Sequence, residues 1–86
     1  MTARHTLDLR LFEMLAASSL TAAESDLAVD LCEEVVAMMP DLDVSHRGRA
    51  ARCAAQLMLD ESVPSLDRAL RDDLARLCEL AVVRGL

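Results

Sequence analysis

Apolar side chains recur at intervals of three and four along almost the whole chain, and only two glycines and two prolines interrupt them. That spacing suits an α-helix, in which residues so separated line one face, and not the two-residue alternation of a half-buried strand. Composition agrees: Leu and Ala supply 30 of the 86 residues, Ile and Tyr are absent, and Phe12 is the lone aromatic. Such a chain is rich in helix formers and short of strand formers. Its length allows a single domain, 1–86, with a small core.

Four helical segments are expected. The first covers 6–19, with Leu7, Leu11, Met14 and Leu15 on one stripe, Phe12 beside it, and Arg10 and Glu13 turned outward. Thr21-Ala-Ala-Glu24 has the spacing of a capping box and opens the second. There Leu27, Leu31, Val35 and Met38 repeat at core spacing until Pro40 ends the helix. After a connector at 41–45, with Asp43 or Ser45 as cap, a third helix runs to about Leu59. Its small inner face of Gly48, Ala51 and Ala55, with Ala50 and Ala54 adjacent, suits close approach by a neighbouring helix. The last helix, capped by Ser62 or Ser65, carries Leu66, Leu70, Leu74, Leu77 and Ala81. Asp67–Arg71 and Asp72–Arg76 lie four apart on it, and Gly85 is its expected C-terminal cap. The expected fold class is all-α, four antiparallel helices in a bundle or hairpin array.

The formal charge is −6, and acid is spread along the chain except at 45–59, where His46, Arg47, Arg49 and Arg52 form a basic segment. A negative surface repels phosphate backbones, so nucleic acid is not an expected partner. Lys and Asn are absent while Arg occurs nine times, the codon supply of a GC-rich bacterial genome. No run reaches the roughly eighteen apolar residues of a membrane span, and Asp8 and Glu13 break the apolar stretch nearest the start. Cys32, Cys53 and Cys78 are an odd number with no close pair, which suits neither a disulfide framework nor a zinc knuckle. A cytoplasmic protein without metal or cofactor is expected. His5 and His46 lie in no recognisable catalytic motif, so no enzymatic activity is expected.

Apolar content exceeds what a minimal bundle needs. Met38-Met39, Leu57-Met58-Leu59 and Ala81-Val82-Val83 each place apolar residues on more than one helix face, so an interface is expected. Phe12-x-x-Leu15-Ala16-x-x-Ser19, Ala28-x-x-x-Cys32, Val35 and Pro40 follow the spacing of a tetratricopeptide repeat, and Ala50, Leu66 and Ala69 continue it one repeat later. Over about residues 9 to 74 the chain resembles degenerate tetratricopeptide-like hairpins. In this it is similar to the small cytosolic chaperones of bacterial type III secretion, which hold an aggregation-prone needle subunit in a concave helical groove. The resemblance implies a non-enzymatic module that binds an apolar or amphipathic helix of a secreted partner. Its groove residues here are Leu31, Val35, Met38, Met39, Met58 and Leu59. Two alternatives stand beside it. One is a homodimeric bundle sealed along the small face of the third helix. The other is an anti-sigma-like or DNA-mimicking regulator that uses the basic segment or the acids Glu33-Glu34 and Asp72-Asp73.

Overall fold

The computed structural model describes residues 3–39 and 46–84, and these form four helices with no strand among them. They are α1 (Ala3–Ala16), α2 (Ala22–Met38), α3 (Arg47–Ser62) and α4 (Arg68–Arg84). The all-α class expected from periodicity is the class observed.

All the other helices touch α4: α3 packs along it most extensively, and both α2 and α1 rest against it. Cross-connections between α3 and α4 descend in order along the second helix as they ascend along the first, so the pair is antiparallel. Gly48 meets Val83, and Arg52 faces Glu79 across 3.6 Å. Gln56 donates to Asp72 across 3.4 Å, and Arg71 donates to Asp60 across 2.6 Å. Small side chains make this approach close. Ala51 and Ala55 are buried, and a Cβ added at Gly48 would stand 2.6 Å from Cγ2 of Val83. From α4, Leu74, Leu77, Cys78 and Ala81 are buried in the core, as is Leu59 from α3. Full burial of one such leucine stabilises by about 1.5–3 kcal/mol.

Helix α1 adds Leu7, Leu11 and Leu15, the stripe its spacing predicts, with Met14 partly buried and Arg10 and Glu13 exposed. On α2 the capping box forms. The Glu24 amide donates to the Thr21 hydroxyl at 3.1 Å, and the Thr21 amide donates to the Glu24 carboxylate at 2.9 Å. The same carboxylate also accepts a hydrogen bond from the Ser65 hydroxyl, tying the start of α2 to the α3–α4 connector.

Several local expectations are overturned by tertiary contacts. Ser65 caps no helix, because its hydroxyl is turned to Glu24, and α4 starts only at Arg68, after a turn closed by the Leu66 amide on the Val63 carbonyl at 3.0 Å. Ser62 is likewise no cap: it is the last residue of α3. Arg71 spans the seam to Asp60 in place of the expected partner Asp67, which lies just before α4. Arg52 of the basic segment likewise pairs across the seam, with Glu79 of α4. His46 occupies the cap position of α3 without a side-chain capping bond. Asp43, Ser45, Pro40 and Gly85 lie outside the described residues.

Two outcomes test this packing. Ala51→Leu forces extra volume into the α3–α4 seam and is expected to lower the unfolding free energy by about 1–3 kcal/mol, read from urea denaturation by circular dichroism. An unchanged or raised midpoint would show that the seam has room. At Glu24, the Ser65 hydroxyl above all, and then the Thr21 amide, hold the carboxyl below its ordinary value of 4.5. Its folded-state pKa is therefore depressed, so its stabilising contribution is complete above 4.5 and is lost as pH falls through the folded value. NMR titration of Glu24 should show the depressed value, with Ser65→Ala moving it back toward 4.5. No change in that variant would remove Ser65 from the cause.

Candidate functional site

On α2 the buried line is Ala28, Cys32, Val35 and Met39, with Val29 alongside. The sequence pattern favoured Leu27, Leu31, Val35 and Met38, so the helix is rotated by about one residue, or roughly 100°, from that expectation. Close approach to α4 explains the choice. The Cys78 thiol of α4 donates to the Cys32 carbonyl at 3.9 Å, a contact that small residues at 28 and 32 permit and leucines would obstruct. Leu27 is thereby turned outward, as is Met38, which is 43% exposed, while its neighbour Met39 is 2% exposed.

The residues expected to hold a partner fall into three groups. Val35, Met39 and Leu59 belong to the core, so the folded chain presents none of them to a partner. Leu31 and Met58 are partly buried against that core. Met38 is the one of the six that is exposed. Among the described residues the other exposed large apolar side chains are Leu9 and Phe12 on α1, Leu27 on α2, Leu57 on α3 and Val83 on α4. Leu57 and Val83 stand within the apolar runs that signalled surplus surface. Leu27 carried no such signal, because its exposure depends on which face of α2 meets α4.

Along α2, Leu27, Leu31, Glu34 and Met38 fall within an arc of about 60°. Asp26, Asp30 and Glu34, spaced four apart, form a row beside Leu27 and Leu31. All three carboxylates are exposed, and none forms an ion pair among the described residues. On α1, Leu9 and Phe12 are three apart and share a face.

A concavity of about 480 Å³ lies between the α1–α2 corner and the start of α4, with Met14, Ser18, Leu20, Ser65, Leu70 and Asp73 among its lining. Both of these hydroxyls have structural work. Ser18 donates to the Leu15 carbonyl at 2.6 Å, where α1 ends, and Ser65 donates to Glu24. No group of three metal-ligating side chains occurs among the described residues, and no described helix is long and apolar enough to cross a membrane. The side chain of His5 lies outside the described residues.

The cysteines separate by environment. The Cys32 thiol is pushed up from its ordinary value by its hydrogen bond with Cys78 and then by burial, which leaves it protonated and poorly nucleophilic. Cys53 is exposed on α3. Comparison with protein-family models, curated proteins and solved structures finds no match for this chain.

The thiols report directly on this packing. A disulfide-exchange reagent should modify one thiol, Cys53, rapidly in the native protein, with Cys32 and Cys78 reacting only on unfolding. Rapid native modification of all three would contradict the α2–α4 contact.

Proposed function

We propose that the chain is a non-enzymatic interaction module that covers an apolar or amphipathic helix of another protein. The observation that supports this reading is the exposure of large apolar side chains in rows, Leu27 and Met38 flanking Leu31 on α2 and Leu9 with Phe12 on α1. Single surface leucines are commonplace on monomers and carry no meaning, whereas rows at helical spacing form a strip that another helix can bury. In this reading the protein works in the bacterial cytoplasm. Its tetratricopeptide-like spacing and the small type III secretion chaperones it resembles suggest the task of holding an aggregation-prone helical segment before export.

Met38 is the position at which the reading is tested without disturbing the core. A charge at Leu59, by contrast, would be buried and would unfold the chain. Light scattering of the purified protein is expected to give a monomer of 9.4 kDa. A partner co-eluting with the wild type should be lost with Met38→Glu while the helical circular dichroism is retained. A stable homodimer that captures no partner, and that Met38→Glu dissociates, would replace this reading with self-association.

A further inference from the structure

We infer that the α2 face selects a cationic amphipathic helix, an inference that rests on the reading of the chain as an interaction module. The apolar side of the face is Leu27, Leu31 and Met38, continuous with the core through Val35. Its other side is the row Asp26, Asp30 and Glu34. Successive carboxylates four apart on a helix repel one another, and α2 contains no Lys or Arg to relieve them. The helix dipole does not account for them either, since it favours acids only within the first turn, which holds Glu24 alone, the partner of the Thr21 cap. These three charges therefore oppose the stability of the free helix and have no described partner within the chain.

A helix laid along α2 with leucine-like residues on one side and Arg or Lys on the other would bury the apolar row and neutralise the acidic one. Charge also argues against a second copy seated there. Two α2 faces brought together would set like carboxylates opposite one another, in molecules that each carry a formal charge of −6. The same net charge draws a cationic segment in from a distance.

The test uses a synthetic peptide as long as α2, with Leu on one face, Arg on the other and a single Trp. The protein has neither Trp nor Tyr, so the peptide is the only emitter under selective excitation. Two control peptides carry Glu for Arg, or the original residues in scrambled order. The Leu/Arg peptide is expected to bind saturably with a blue-shifted emission, and each control about tenfold or more weakly. Met38→Ser should weaken binding by about tenfold through lost apolar burial. The triple variant Asp26→Arg, Asp30→Arg, Glu34→Arg should reverse the preference toward the Leu/Glu peptide, with helical circular dichroism confirming the fold of both variants.

Equal binding of the scrambled peptide would reduce the effect to net charge and overturn the inference. Equal binding of the Leu/Arg and Leu/Glu peptides would overturn the charge selection while leaving the interaction module standing. Failure of every helical peptide would remove α2 as the docking face, and the Met38→Glu co-elution measurement then decides separately whether the module reading survives.

Discussion

Contact with α4 is the constraint on which the rest of the molecule depends. α3 approaches it through Gly48, Ala51 and Ala55, small enough that side chains of α4 fill the space where leucines would otherwise stand. α2 approaches it through Ala28 and Cys32, and the Cys78–Cys32 contact marks the closeness. A chain of this length cannot bury large residues on every helix face, because surface grows relative to volume as a domain shrinks. Spending small residues on the seams around α4 leaves large ones for the outside. The exposed leucines and methionine are thus a consequence of how the core is closed.

Much of this architecture was legible in the sequence. The stripe Leu7, Leu11 and Leu15, the capping box of Thr21 and Glu24, the small face of α3 and the leucines of α4 each follow from local spacing, and each is present. What local spacing missed depends on tertiary partners. Ser65 looks like a helix cap by residue type, but a carboxylate from α2 competes for its hydroxyl and wins. Arg71 has an acid four residues before it, but Asp60 across the seam lies closer to hand.

The rotation of α2 is the instructive case. Periodicity identifies a helix and its apolar sector, but Ala28, Cys32, Leu27 and Leu31 are all apolar, and the sector they form is too wide for one neighbour. Ranking the sector by side-chain hydrophobicity weights the largest residues, and so selects Leu27 and Met38 for the core. Packing weights fit, and selects the smaller pair because it lets two helices approach. The same shift moves Met39 from candidate partner contact to core, where Val35 and, on α3, Leu59 also lie. It leaves Leu27 exposed beside Asp26, Asp30 and Glu34, which form no ion pair among the described residues.

The two adjacent methionines offer the most direct measurement. In protein labelled with carbon-13 at the methionine methyl groups, a soluble paramagnetic chelate should broaden the Met38 resonance strongly and spare that of Met39, at concentrations where the chain is monomeric. Protection of Met38 in the monomer, or broadening of Met39 instead, would contradict the orientation of α2 and with it the exposed row on which the functional reading stands.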